Sequence, residues 1–302
     1  MPEPITVHAP AKINLHLAVG DRRADGFHDL VTVFHAIGLY DEVTATPAHT
    51  LSLEVTGEGA TALPTGDDNL AVRAARALAA YVDVEPAVQL RLSKRIPVAA
   101  GLAGGSADAA ATLVACDELW RTKLDRSELL ELAAGLGSDV SFALAGGTAL
   151  GTGRGERLTS VLAAGGWNWV LALAASGLST PAVYKELDRL RDRGRIKRAG
   201  DADDVINALR TRDPDRLGAA LANDLQVSAV SLRPELAATL RQGLELGGLG
   251  GIVSGSGPTC VFLARSREGA VKLAAALSAA GVCRTVKVAA GPVPGASVVT
   301  SE

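Results

Sequence analysis

Residues 97–110 read Pro97-Val98-Ala99-Ala100-Gly101-Leu102-Ala103-Gly104-Gly105-Ser106-Ala107-Asp108-Ala109-Ala110. Glycine serves where the backbone must take positive φ or lie against a ligand. Here the glycines run directly into Ala107 to Trp120, a segment without breakers and apolar on nearly every face, which predicts a buried helix. A glycine-rich loop that feeds a helix N-terminus makes an anion site, because unpaired N–H groups and the helix dipole point the same way. The loop is not a Walker A motif, since Gly105-Ser106 stand where Gly-Lys-Ser is required, and it is not GxGxxG. Taken alone it reads as a phosphate cradle or as a flexible connection. In the first case a Cβ at Gly104 or Gly105 is expected to obstruct the phosphates.

Outward from this loop the first half alternates in the manner of half-buried strands at Ile13–Leu17, Leu30–Ile37, Glu42–Thr46, Leu51–Val55 and Val88–Leu92. Helices are expected at Asn69–Tyr81 and Arg126–Leu136. The second half predicts strands at Val170–Ala174, Ile252–Val253, Cys260–Leu263 and Arg284–Val288. Its helices are expected at Thr180–Arg193, Asp201–Leu209, Asp213–Leu221, Pro234–Leu246 and Glu268–Ala280. Two further glycine clusters, Leu144 to Glu156 and Leu246 to Thr259, suggest loops with a task. The tail from Gly291 is expected to be mobile. With 302 residues, two domains are favoured, 1–155 and 156–302, divided where the second glycine cluster ends.

Composition removes several classes of function. Lys plus Arg is 30 and Asp plus Glu is 33, with no basic tract, and aromatics are 3%, so nucleic acid is not the expected partner. Cys116, Cys260 and Cys283 form no CxxC or Cys/His cluster, which argues against a disulfide framework and a structural zinc site and suits a reducing compartment. No signal peptide is visible. The apolar stretch Val161 to Leu178 is too interrupted to span a bilayer. A cytoplasmic protein without membrane association is expected; oligomeric state is open.

Two shorter segments carry possible chemistry. Ala9-Pro10-Ala11-Lys12-Ile13-Asn14 sets a lysine in apolar surroundings on a strand, which is either a snorkelling residue or a point charge for phosphate. Leu136-Gly137-Ser138-Asp139-Val140-Ser141 sets an acid in an apolar loop, alone most simply a cap or turn aspartate.

Together, Ala9 to Asn14, Pro97 to Ala107 and Gly255-Ser256-Gly257-Pro258 resemble the three motifs of the GHMP kinases, in the same order over nearly the whole chain. Arg23-Ala24-Asp25-Gly26-Phe27-His28 and Leu136 to Val140 are similar to the 4-diphosphocytidyl-2-C-methyl-D-erythritol kinase subfamily. That subfamily phosphorylates a 2-hydroxyl in the non-mevalonate isoprenoid pathway. The resemblance implies an α+β fold, with a ribosomal-S5-like N-terminal domain packed on a ferredoxin-like C-terminal domain and the active site in the cleft between them.

It further implies that Pro97 to Ala107 wrap the phosphates of ATP, with Asn69, Lys94 and Asp108 near the adenosine, and that Lys12 and Asp139 are the catalytic pair. Phe27, His28 and Tyr184, the last following Thr180-Pro181, would hold a cytosine, and Asn14 would touch the polyol. Gly255, Ser256 and Gly257 would lie along the diphosphate or the transferred phosphoryl. Mg²⁺ is expected as ATP's counter-charge, with phosphate oxygens, water and Ser106 as ligands. The loop departs from many relatives in having Ala107 in place of a second serine. A homoserine- or mevalonate-type kinase, and a non-catalytic nucleotide sensor on the same fold, remain the rival readings.

Overall fold

The computed structural model describes residues 3–194, 196 and 198–299. Two long antiparallel strands, β1 (Ile5–Arg22) and β2 (His28–Pro47), form the spine of the first half. The expected strands Leu30–Ile37 and Glu42–Thr46 are both parts of β2, because its path through Gly38–Tyr40 stays paired with β1 across a register shift at Pro10/Ala11. After β3 (Ser52–Gly57) and a short 3₁₀ turn (Ala60–Ala62), helix α1 (Leu70–Tyr81) starts at Asn69, whose side chain accepts from the Ala71 N–H. β4 (Val88–Lys94) alternates as its sequence requires, with Val88, Leu90 and Leu92 buried.

Helix α2 (Gly104–Trp120) follows and is buried along most of its length, as its all-round apolar face predicts. It begins three residues earlier than Ala107, because Ala103 takes a left-handed conformation and turns Gly104 into the helix. Next come α3 (Arg126–Leu136), opened by an Asp125/Glu128 capping box, and α4 (Ser138–Ala145). β5 (Thr148–Thr152) and β6 (Arg157–Ser160) form a hairpin that pairs with β2. The domain division expected at Gly155 therefore falls inside this hairpin.

The second half consists of β7 (Trp167–Leu173), α5 (Thr180–Asp192), α6 (Asp203–Thr211), α7 (Pro214–Ala220), β8 (Ala222–Asn223), α8 (Gln226–Leu232) and α9 (Glu235–Glu245). β9 (Gly250–Val253), β10 (Cys260–Ala264), α10 (Arg267–Ala280), β11 (Thr285–Gly291) and β12 (Ser297–Val298) complete it. Its antiparallel sheet has the spatial order β11-β7-β10-β9. With helices between β7 and β9 and between β10 and β11, this is the ferredoxin-like βαββαβ arrangement. The first sheet runs β12-β1-β2-β4-β3, with β8 parallel to β1. The overall class is α+β, as expected.

The tail corrects an expectation. Gly291 ends β11 in the second sheet, Gly146 bridges Pro294, and Ser297 and Val298 pair with His8 and Val7, so the tail joins the first sheet at β12; residues 300–302 lie outside the described residues. The two halves also share one apolar core, which runs from α1 and α2 to Trp169 and Leu171 of β7 and to Val261 and Leu263 of β10. Among the described residues no helix is long and apolar enough to cross a membrane.

Candidate active site

Lys12 of β1 is 6% exposed, an unusual burial for an amine. A polar relay holds it. Thr32 Oγ1 donates to the His16 carbonyl (2.7 Å), Asn14 Nδ2 donates to Thr32 Oγ1 (2.8 Å), and Lys12 Nζ donates to Asn14 Oδ1 (2.7 Å). The relay fixes the Asn14 amide with its oxygen toward the ammonium. Asp139 lies in the first turn of α4, where the helix dipole favours a carboxylate. Its Oδ2 is 3.7 Å from Lys12 Nζ. That is too long for a direct hydrogen bond, so the pair attract each other while leaving room for a hydroxyl to bridge them.

The glycine-rich loop 97–107 meets this pair from the side. Ala99, Gly101 and Ala103 have φ of 52°, 77° and 58°, a left-handed residue at every second position, which makes the N–H-lined concavity of an anion nest. No side chain caps α2, so its first N–H groups are left for a ligand. The outer side of the loop is bound by the rest of the molecule. Lys12 N–H donates to the Leu102 carbonyl (3.2 Å), Leu178 N–H to Ala99 (3.3 Å) and Ser254 Oγ to Gly101 (3.0 Å). At Gly101 a Cβ would lie 2.2 Å from the Ser254 carbonyl oxygen, so loop and third glycine cluster touch backbone to backbone.

Pro97 to Gly101, Ala103, Gly104 and Gly105 line a cleft of about 340 Å³ with Lys12, Asn14 and Asp139. Leu102 and Ala107 are buried behind it, and Ser106 is half-buried in the first turn of α2. The expectation for Gly104 needs correction. A Cβ there would meet Ile96 Cγ2 at 3.0 Å and Lys94 Nζ at 3.1 Å, whereas at Gly105 it would meet only Leu70 Cδ1 at 3.7 Å.

Lys94 and Asp108 reach the cleft wall but are largely spent on each other. Lys94 Nζ donates to Asp108 Oδ2 (2.7 Å) and to Asp41, whose other oxygen accepts from the Arg95 and Ile96 N–H groups (2.6 and 2.8 Å). Burial pushes the Asp108 carboxyl well above the usual range against the opposing pull of Lys94. The cluster ties β4 to the start of α2 and so shapes the loop. Asn69 does not line the cleft: its amide caps α1 and donates to the Pro64 carbonyl.

A second cavity, of about 770 Å³, adjoins the cleft and shares Leu30, Arg154, Thr180 and Tyr184 with it. Phe27, His28 and Pro181 line it. Phe27 is 53% exposed, a large apolar ring left in the open. The rings of His28 and Tyr184 are 5.2 Å apart at 37°. His28 Nε2 lies 2.8 Å from Asp188 Oδ1, one helical turn beyond Tyr184 on α5. The carboxylate therefore takes one imidazole nitrogen, and only Nδ1 is available for a base edge. Burial, reinforced by the charge of Asp139, pushes the Tyr184 hydroxyl up.

From the third glycine cluster, Gly255 and Ser256 line the cleft, and Thr180 Oγ1 is 2.7 Å from Ser256 Oγ. Gly257 lies behind, its N–H donating to the Ser254 carbonyl. Sequence reasoning missed Arg154, Asp188, Thr32 and Asp41. Arg154 carried a visible signal, because it interrupts the second glycine cluster; the other three become functional only through strand register and helix facing.

Comparison with known proteins places the chain in a family. Residues 69–147 match the GHMP kinases N terminal domain, and residues 205–283 match the GHMP kinases C terminal domain. A protein of Mycobacterium tuberculosis named 4-diphosphocytidyl-2-C-methyl-D-erythritol kinase is 58% identical over 297 residues, which cover 98% of this chain and 93% of the relative. A protein of the same name from Nocardia farcinica is 56% identical over 302 residues, covering 100% and 98%. A crystal structure of 4-(cytidine 5'-diphospho)-2C-methyl-D-erythritol kinase superposes with a TM-score of 0.77 at 33% identity, covering 95% of this chain and 98% of that one. Homoserine kinase from Cytophaga hutchinsonii superposes with a TM-score of 0.78 at 20% identity, covering 99% and 98%, a likeness of fold alone. With both family domains in order and relatives of this identity along its full length, the chain belongs to the GHMP kinases.

Proposed function

We propose that this chain transfers the γ-phosphoryl group of ATP to the 2-hydroxyl of 4-diphosphocytidyl-2-C-methyl-D-erythritol, a step of the non-mevalonate route to isoprenoid precursors. The observation that carries the reading is the Lys12–Asp139 pair, held 3.7 Å apart where a phosphate loop and an aromatic cavity meet. The names of the relatives at 56% and 58% identity support the choice of substrate. Phe27 and Tyr184 supply the faces for a pyrimidine, and His28 the edge.

The substrate hydroxyl sits between Lys12 and Asp139. As its oxygen bonds to the γ-phosphorus, the bond from that phosphorus to the β-bridging oxygen breaks and ADP leaves, while the hydroxyl proton passes to the Asp139 carboxylate. The ammonium of Lys12 offsets the negative charge that gathers around the transferred group. The uncapped N-terminus of α2 and the loop N–H groups hold the phosphates in line. Among the described residues no group of three His, Cys, Asp or Glu side chains could hold a metal. A magnesium ion bound together with ATP would offset the phosphate charge, and the Ser106 hydroxyl, in the first turn of α2, would be the protein group to hold it.

A substrate panel tests the reading. With ATP and Mg²⁺, the purified protein is expected to convert the cytidine diphosphate alcohol and to leave homoserine and mevalonate unchanged. Turnover of either alternative without turnover of the cytidine compound rejects the assignment. Absence of ATP turnover with all three would favour a sensor.

A further inference from the structure

The second glycine cluster, Leu144 to Glu156, has no part in the chemistry above, yet its turn carries Arg154 to the junction of the two cavities. Arg154 lines both of them. The turn is anchored: Leu30 N–H donates to the Gly153 carbonyl (2.7 Å), and Arg154 N–H donates to Glu156 Oε2 (2.6 Å). Among the described residues the guanidinium has no carboxylate partner; the neighbouring Glu156 side chain faces Arg157 instead, at 3.8 Å. Its central carbon lies 5.2 Å from the Phe27 ring centroid, in cation–π range. Arg22 and Lys185 also line the aromatic cavity, and its carboxylate, Asp188, is engaged by His28. The aromatic cavity is therefore lined by more cations than carboxylates, and the wall it shares with the cleft holds an uncommitted guanidinium.

A substrate with its base between Phe27 and Tyr184 and its hydroxyl at Asp139 must pass its linking group along the shared wall, Leu30, Arg154, Thr180 and Tyr184. Arg154 is the charged residue of that wall. We infer that Arg154 binds the diphosphate joining the base to the polyol, while its planar face backs the Phe27 ring. A guanidinium suits both tasks, because it forks onto phosphate oxygens and stacks on aromatic rings, whereas an ammonium does neither as well. The inference rests on the cytidine diphosphate reading above, and it adds a substrate-binding residue from a segment that reading leaves unused.

Inhibition measured competitively against the acceptor substrate tests it, with cytidine and cytidine diphosphate as probes and the KM for ATP as a third arm. The wild-type protein should bind cytidine diphosphate more tightly than cytidine. Arg154→Gln should weaken cytidine diphosphate about 10–100-fold, as expected for loss of a hydrogen-bonded charge pair. It should weaken cytidine only slightly, through the lost support of Phe27, and leave the KM for ATP unchanged; Arg154→Lys should fall between. Equal weakening of both cytidine compounds would mean that Arg154 only braces Phe27. A raised KM for ATP would assign it to the nucleotide, and no change would mean no contact; each of these overturns the inference while the cytidine reading stands. A wild-type protein inhibited by neither cytidine compound overturns the substrate reading itself, and the inference with it. Arg154 is exposed on a turn, so melting curves of the variants should match the wild type.

Discussion

Tyr184 stands where the two cavities join, its ring 5.2 Å from His28 and its hydroxyl environment coupled to Asp139. Loss of one base–aromatic stack costs about 1–3 kcal/mol, so Tyr184→Ala should weaken the cytidine substrate by roughly one to two decades. ATP should be little affected. Fluorescence or calorimetric titration with each nucleotide checks this, and equal loss for both would place Tyr184 outside the base pocket. The neighbouring dyad makes a chemical statement of the same kind. With Asp188 on Nε2, His28 keeps Nδ1 for the edge of a base in the proposed site. Lys12 is placed as firmly by its relay: without Asn14 and Thr32 an ammonium 6% exposed would lack its oxygen partner.

Among the elements, α2 and its loop respond differently at two adjacent glycines. Gly105→Ala adds a Cβ with open space around it and removes a flexible residue from a helix, so thermal stability should hold or rise. The KM for ATP should nevertheless rise about tenfold or more, equivalent to about 1.4 kcal/mol, because the residue lines the cleft. Gly104→Ala pushes on Ile96 and Lys94 and should lower the melting temperature instead. An unchanged KM for ATP in Gly105→Ala would remove the loop from phosphate binding. The sequence made α2 legible because its apolar residues cover every face, and β4 because it alternates cleanly. It hid α4, whose eight residues Ser138–Ala145 look like loop around an acid, and it hid the join within β2, which reads as two strands, Leu30–Ile37 and Glu42–Thr46. The tail looked mobile because GPVPG favours turns, but its order comes from pairing with β1, almost three hundred residues away in sequence. Lys12 and Asp139, the proposed catalytic pair, were legible only as members of a motif set. Asp41, Thr32 and Asp188 gave no local sign at all, since register and helix facing alone bring them to the site.

For the molecule as a whole, His35 lies at the seam between the halves. This residue of β2 is fully buried, with Nδ1 2.8 Å from Thr148 Oγ1 and its ring 5.7 Å from Trp169 of the second sheet at 66°. Burial pushes its pKa from 6.5 down to about 3. Between those values the unfolded chain binds a proton that the folded chain refuses. Stability is therefore full above about pH 6.5 and falls by about 1.4 kcal/mol per pH unit as the solution is acidified toward pH 3. Urea midpoints at several pH values check this: His35→Gln should start less stable but show a flatter decline, and an unchanged slope would clear His35 of the effect. The same seam brings Thr180 and Tyr184 from the second half to Lys12 and Asp139 of the first, and under the proposed function this assembly presents one hydroxyl to one carboxylate. Single-turnover phosphoryl transfer by Asp139→Asn tests that claim most directly. The account predicts a rate lower by about 10²–10⁴-fold with both substrates still bound at wild-type affinity; a near-normal rate would contradict it.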